Sequence, residues 1–269
     1  MNLRILTAAI LIPASLAAVF YSPFRPFLIL TDLLILLAVW EFNRISRRLD
    51  IVVFPATYLM AAGFPWIWFY LPDQLAALLL LFFLLTLLWT VFTVRGLSTG
   101  LSLTSVNLFV PTYIALPLTL IAGFQKHAPR SYEGSAPTME LLLVLVIIWI
   151  SDSAAYWIGS LAGKHKLTPR ISPKKSLEGF LAGIAAPVLI APWFARLTAI
   201  EFPWYVVAGI ALVVASTGII GDLFESILKR GAGVKDSSSL IPGHGGILDR
   251  IDSLLTAFPA YYLLTVILR

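Results

Sequence analysis

Four polar side chains at the end of an apolar run raise the question of chemistry. In "GIIGDLFESILKRGAGVKD", Asp222, Glu225, Ser226 and Lys229 are spaced so that a helix carries them on one face. Two acids, a hydroxyl and a cation are costly against lipid; their place is a polar interior or a water-filled cleft. Downstream, "IPGHGGILDRIDS" runs through Pro242, Gly243, His244, Gly245 and Gly246 to Asp249 and Asp252. Such a glycine-rich loop can aim several backbone N–H groups at one anion. Asp249 and Asp252 then open the last apolar stretch at i, i+3, beside the positive end of its helix dipole. A helix start dressed with acids would explain either Asp, but not the glycine-rich approach or the matching acids at Asp222 and Glu225.

A third acid lies earlier, in "WISDSAAYWIGSLAGKHK", where Asp152, Tyr156, Gly159 and Gly163 share one helical stripe. The small residues let a second backbone or a ligand come close. Asp152 alone is also explained by a hydrogen bond to a neighbouring helix. The following loop, "GKHKLTPRISPKKSLEGFLAG", carries Lys164, Lys166, Arg170, Lys174 and Lys175. A cationic anchor on the cytoplasmic side is the ordinary reading of such a loop. Here Pro169 and Pro173 stiffen it, and Ser172 and Ser176 stand beside Lys174 and Lys175. Ser176 fits a helix N-cap with Glu178 in the first turn, and a helix start among lysines suits phosphate. Gly179 and Gly183 then offer a face for tight helix packing.

The elements that position these groups must be membrane helices. Of the 269 residues, 59% are hydrophobic and 12% charged, and the mean hydropathy is +0.91, whereas soluble domains carry about 25% charged residues. Nine segments read as spans: 4–21, 27–43, 51–71, 75–94, 102–124, 139–162, 177–197, 203–224 and 250–268. Pro13, Pro65, Pro111, Pro117, Pro187 and Pro259 fall inside them and should kink or loosen their helices. The opening "MNLRILTAAILIPASLAAVF" has the ingredients of a signal peptide, but the apolar segments after it favour an uncleaved first span. One polytopic domain over 1–269 is expected, with 1–125 serving packing or dimerisation and 139–269 carrying the chemistry.

Most of the 19 Lys and Arg then fall on the side of the N-terminus: Arg4, Arg44, Arg47, Arg48, Arg95, the loop after 139–162 and the stretch 229–250. Only Arg25, Lys126, Arg130, Arg196 and Arg269 fall on the other. This asymmetry predicts a cytoplasmic N-terminus, with a bacterial inner membrane as the simplest home. The net charge of +5 therefore reports topology and not nucleic-acid binding. The first five segments are bland. Glu41 is expected to pair locally with Arg44, Asp32 lacks any sequence-local partner, and Asn107 lies within the fifth segment.

Carboxylates from three spans can thus converge at the cytoplasmic boundary between two loops rich in Lys and Gly. With no Cys and only three His, such oxygen ligands suit Mg²⁺ and not Zn²⁺. Mg²⁺ with basic clamps equips a site for phosphoryl or nucleotidyl transfer. A boundary site receives a nucleotide from water and a lipid laterally from the bilayer.

The segment "GDLFESILKRGAGVKDSSSLIPGHGGILDRIDS" resembles the signature of phosphatidate cytidylyltransferases, also called CDP-diacylglycerol synthases. The match runs through Ser226, Lys229, Arg230, Lys235, Asp236, Pro242, Gly243, His244, Gly245, Gly246, Asp249, Arg250 and Asp252. The earlier loop is similar to that family at Asp152, Tyr156, Gly159, Gly163, Lys164, Ser172, Pro173, Lys175, Ser176, Glu178 and Gly179. The resemblance implies a dimeric integral-membrane enzyme using one or more Mg²⁺, with CTP and phosphatidic acid giving CDP-diacylglycerol and pyrophosphate. It implies Asp222 and Asp249 as metal ligands, Asp152 and Asp252 as further ligands or their supports, and Lys175, Lys229, Arg230 and Lys235 as phosphate holders. Lys164, Ser172, Lys174, Ser176, Ser226, Asp236 and the glycine-rich loop complete the expected substrate site.

Three other readings compete. A polyprenol or dolichol kinase would pass the γ-phosphoryl group of CTP to an alcohol. A CDP-alcohol phosphotransferase would need a preceding Asp-Gly pair and further Asp turns. A proton-coupled transporter would show repeated halves and acids near mid-membrane, whereas these acids cluster at one boundary in the second half.

Overall fold

Lipid offers backbone N–H and C=O groups no partners, so spanning segments must satisfy them internally. The computed structural model describes residues 3–94, 96–127, 136–198, 200 and 202–268 and is dominated by helices. They are α1 (Leu3–Tyr21), α2 (Phe24–Ser46), α3 (Pro55–Tyr70), α4 (Leu75–Thr93), α5 (Leu97–Val110), α6 (Leu116–His127), α7 (Ala136–Ala162), α8 (Leu177–Leu197), α9 (Trp204–Gly231), α10 (Leu248–Ile251) and α11 (Leu254–Leu268). Among the described residues, seven helical stretches are long and apolar enough to cross a membrane: Phe24–Leu49, Pro72–Thr93, Leu97–Lys126, Thr138–Ala162, Leu177–Leu197, Trp204–Gly231 and Leu248–Leu268. Each coincides with an expected segment. Helix α1 occupies the segment expected at 4–21. Helix α3 has 16 residues, roughly 24 Å at 1.5 Å each, against a hydrocarbon core of about 30 Å. The topology cations Arg95, Arg130 and Arg269 lie outside the described residues.

The chain forms two compact units, Met1–Ala122 with Gly231–Arg250, and Gly123–Arg230 with Ile251–Arg269. In the first, α2 runs into a 3₁₀ turn, Arg47–Leu49, and Asp50 reverses the chain at φ 58°, a conformation Asp tolerates better than most residues. Residues 52–54 then run extended, and two asparagines hold them. Val53 N–H donates to Asn43 Oδ1 at 3.0 Å, and Phe54 N–H donates to Asn107 Oδ1 at 2.7 Å. Asn107 Nδ2 donates to Val52 O at 3.0 Å and to Leu103 O at 2.8 Å, and Thr57 Oγ1 donates to Asn107 Oδ1 at 2.7 Å. Asn107 is fully buried. Its amide thus replaces the water that irregular backbone would otherwise need. Asp32 accepts from Trp66 Nε1, a partner from α3 that sequence-local reasoning does not supply. Pro111 opens a single π turn, Pro111–Ala115, between α5 and α6, as a residue without an N–H interrupts the regular ladder.

In the second unit α7 and α8 cross where glycines face each other. A Cβ on Gly179 would stand 2.7 Å from Ala155 O, and one on Gly183 would stand 3.1 Å from Ser151 O. On α7, Gly159 backs onto Gly179 and Gly163 backs onto Ser176. Helix α9 has 28 residues, roughly 42 Å, so its last turns outrun a core of about 30 Å. Asp222 through Arg230 lie in its C-terminal turns. Helix α9 meets the start of α11 at Gly221, where a Cβ would strike Asp252 O and Thr256, and Thr256 Oγ1 donates to Thr217 O at 2.7 Å.

Replacing Asn107 with Leu strips Val52 O, Phe54 N–H and Thr57 of their buried partner. The variant should lose about 2 kcal/mol or more of stability, read as a lowered Tm of the purified protein in detergent. An unchanged Tm would show that the asparagine does not hold residues 52–54.

Candidate active site

The loop between α7 and α8 folds as a β-hairpin, a departure from the purely helical expectation. Strands β1 (Lys166–Thr168) and β2 (Ser172–Ser176) pair antiparallel. Pro169 supplies the fixed φ of the turn that Ile171 N–H closes onto Thr168 O at 3.1 Å. Successive strand residues face opposite ways, so Lys174 is exposed while Lys175 turns inward. Lys175 Nζ pairs with the Asp222 carboxylate on α9. Ser176 caps α8, its Oγ accepting from Gly179 N–H at 3.1 Å. Glu178 accepts from His165 N–H at 3.2 Å and meets its ring Nδ1 at 2.7 Å. Arg230 Nε reaches Ile171 O at 3.4 Å, tying the end of α9 to the hairpin.

Further along α9, Lys229 Nζ donates to Glu225 Oε2 at 2.8 Å, and both side chains are buried. Asp252 sits in the turn between α10 and α11, its Oδ1 accepting from Ser253 N–H at 2.7 Å. Its carboxyl lies within electrostatic range of Asp222, Glu225 and Lys229. The second unit therefore gathers Asp222, Glu225 and Asp252 with Lys175 and Lys229. Asp152 stands exposed on α7, Ser172 and Ser226 are half-buried, and Lys164 and Lys174 are exposed with no ion pair among the described residues. No three Asp, Glu or His side chains among the described residues form a ready metal cage. The oxygen chemistry nonetheless fits a hard divalent cation: Asp222, Glu225 and Asp252 bring carboxyl groups within electrostatic range of one another, and Asp222 already pairs with the cationic Lys175.

In the first unit, Gly231–Arg250 forms the glycine-rich loop. Gly243 and Gly245 adopt φ of 78° and 84°, the left-handed region that glycine enters without a steric penalty. The turn is pinned by Ile241 N–H to Gly245 O at 2.8 Å and by His244 N–H to Ile241 O at 2.9 Å. The expected convergence of N–H groups on an anion is present, but the anions belong to the chain. Gly246 N–H donates to Asp249 Oδ2 at 2.8 Å, Ile247 N–H to Glu41 Oε1 at 2.9 Å, and Leu248 N–H to Glu41 Oε2 at 2.7 Å. Asp249 Oδ2 also accepts from Ser237 N–H at 2.9 Å and lies 2.8 Å from Ser237 Oγ, whose single proton it shares with Glu41 Oε2. Lys235 and Asp236 are exposed at the start of this loop. His244 Nδ1 is buried with no hydrogen-bond partner among the described residues.

Glu41 is the residue that sequence reasoning missed. It does not pair with Arg44. Fully buried on α2, it accepts from Ser237 Oγ at 2.9 Å and Ser238 Oγ at 2.6 Å besides the two backbone donors. Four donors satisfy both oxygens of an ion that burial alone would expel. Two signals were available: an acid inside a span is by default more than a surface pair, and "SSS" at 237–239 immediately precedes the glycine-rich segment.

Gly246 is flanked by these groups, since a Cβ there would strike Ser237 Oγ and the Glu41 carboxylate. Gly246→Ala should therefore destabilise the protein by about 1–3 kcal/mol through overpacking. Gly209→Ala, in an open position on α9, should be neutral or stabilising by up to about 1 kcal/mol. Thermal unfolding of the two variants side by side checks the contrast, and equal Tm values would contradict the packing seen around Gly246.

The chain matches the sequence profile of the Cytidylyltransferase family over residues 2–268. It is 36% identical over 267 residues to a phosphatidate cytidylyltransferase of Pseudomonas aeruginosa, covering 96% of this chain and 94% of the relative. Identity to the phosphatidate cytidylyltransferase of Haemophilus influenzae is 33% over 285 aligned positions, covering 96% of each chain. A Bacillus subtilis phosphatidate cytidylyltransferase is 46% identical over 119 residues, 44% of either chain. With a family match that spans nearly its whole length, the chain belongs to the cytidylyltransferase family, and it is an integral-membrane nucleotidyltransferase.

Proposed function

We propose that this enzyme transfers the cytidylyl group of CTP to phosphatidic acid, giving CDP-diacylglycerol and pyrophosphate for phospholipid synthesis. The family match over residues 2–268 carries this reading, and the Lys175–Asp222 pair supplies its chemistry, because it sets a cation against a carboxylate where a triphosphate can compete for the lysine. A phosphate monoester has a second pKa of about 6, so the lipid phosphate is mostly dianionic at neutral pH and needs no strong base. One of its oxygens attacks the α-phosphorus of CTP in line. The new P–O bond forms as the bond from the α-phosphorus to the α,β-bridging oxygen breaks, and pyrophosphate departs with that electron pair.

The chain's residues bind and orient. Lys175, Lys229, Arg230 and Lys235 hold triphosphate and lipid phosphate oxygens, with Lys164, Lys174, Ser172, Ser176 and Ser226 around them. The turn at Gly243, Gly245 and Gly246 and the side chains of Asp236 and His244 position the substrates, with His244 Nδ1 offering a bond that the protein leaves unmade. Asp222 and Asp249 are the proposed Mg²⁺ ligands, with Asp152 and Asp252 as further ligands or supports. Bound Mg²⁺ supplies charge neutralisation on the triphosphate. The overhang of α9 and the cationic hairpin are assigned to the cytoplasmic face of a bacterial inner membrane, with the N-terminus on that side and the enzyme a homodimer.

Turnover of the purified protein with α-labelled CTP, phosphatidic acid and Mg²⁺ tests the reading. Label should enter lipid with release of pyrophosphate. Lys175→Ala and Asp249→Asn should each lower kcat by roughly 10²-fold or more, as removal of a group that stabilises transition-state charge does elsewhere. Label that stays in water-soluble CDP while a polyprenol gains phosphate would instead identify a kinase.

A further inference from the structure

The missing Glu41–Arg44 pair has a consequence for α2. With Glu41 saturated by its own donors, Arg44 forms no ion pair among the described residues, and neither does Arg47 one turn on. Both line an open pocket of about 810 Å³ with Trp40, Asn43, Tyr58 and Leu59. The pocket is organised on one side by the polar contacts of α2. The Arg44 guanidinium lies 6.0 Å from the centroid of the Trp40 ring, an arrangement that holds the head group while leaving its edge donors for another partner. Asn43 Nδ2 donates to the Tyr58 hydroxyl oxygen at 3.0 Å, so the hydroxyl's own proton is directed elsewhere. Arg47 lies within electrostatic range of that hydroxyl. On the other side the pocket is apolar and open: Leu59 is 75% exposed and Trp40 is 44% exposed.

The pocket also stands at a definite level, at the end of a candidate span, Phe24–Leu49. Trp and Arg at a span's end lie where head groups meet acyl chains. Two guanidinium groups and a phenolic donor above an exposed apolar wall match a phosphate ester carrying hydrocarbon chains. They do not match a zwitterionic head group, because among the described residues no Asp or Glu lines the pocket to receive its ammonium.

We propose that this pocket, formed by Trp40, Asn43, Arg44, Arg47, Tyr58 and Leu59, binds the head group of an anionic phospholipid. None of its residues is among those assigned to catalysis, so the site would bind lipid in addition to the substrate. It does not rest on the reaction proposed above.

Native mass spectrometry of the full-length protein titrated with phosphatidylglycerol, which is anionic and not the proposed substrate, tests the site. Phosphatidylglycerol should bind more tightly than phosphatidylcholine, and the double variant Arg44→Gln/Arg47→Gln should bind it roughly tenfold more weakly, since each cation at an anionic head group contributes several-fold. Tyr58→Phe, which removes one donor to the head group and also the acceptor of Asn43 Nδ2, should weaken binding in the same direction. Equal affinity of the double variant and the parent for phosphatidylglycerol would overturn the proposal. Displacement of the lipid by equimolar glycerol phosphate would overturn it too, by showing that the acyl chains contribute nothing.

Discussion

A carboxyl group with no exposed surface is tolerated only where hydrogen-bond partners surround it, and Glu41 is such a group. Two hydroxyls and two backbone N–H groups close around it, all from the segment that carries the glycine-rich turn. The acid therefore acts as a template: Ser237, Ser238, Ile247 and Leu248 take their places because each must reach one of its oxygens. Asp249 repeats the device within the loop, joining Ser237 to Gly246. The backbone around Asp249 is thereby fixed by the chain's own donors and acceptors.

Burial sorts the acids into two kinds. Glu41 is sealed and saturated, and its work is to hold backbone. Asp222 is about a third exposed and faces a single lysine that is itself partly open to solvent. A partner of that kind exchanges readily, because a solvated ion pair is worth little compared with a multivalent anion or cation arriving between its members. Of the residues to which chemistry is assigned, the Lys175–Asp222 pair has this spare capacity, whereas Lys229 and Asp249 are already engaged by neighbours within the chain. The cations follow the same division, with Lys229 committed to buried Glu225 and Lys174 left in water.

What could be read from sequence was what acts locally. The N-cap at Ser176, the end of α9 at Gly231 and the tight turn at Gly243 and Gly245 follow from how one residue type biases its own backbone. The glycine faces of α7 and α8 follow from helical spacing. The donors of Glu41 could not be found that way, since they lie about 200 positions along the chain, and an arginine at i+3 offered an adequate local explanation. The partners of Asn107 could not be found for the same reason: they lie at 52–57, some fifty positions away. The hairpin escaped because its alternation spans only a few residues, too short to compete with the helical runs on either side.

The extended residues 52–54 impose an order on how the chain can mature. When α2 and α3 have left the ribosome and reached the bilayer, Phe54 N–H and Val52 O still lack the amide that will hold them, because Asn107 has not been synthesised. The nascent helical hairpin therefore carries unmet polar backbone for the time needed to translate about fifty more codons. Until α5 inserts, water, the translocon or an insertase must stand in for that side chain. A polypeptide truncated before that asparagine would keep this defect permanently, giving membrane proteases a feature by which to distinguish an aborted product from a finished one.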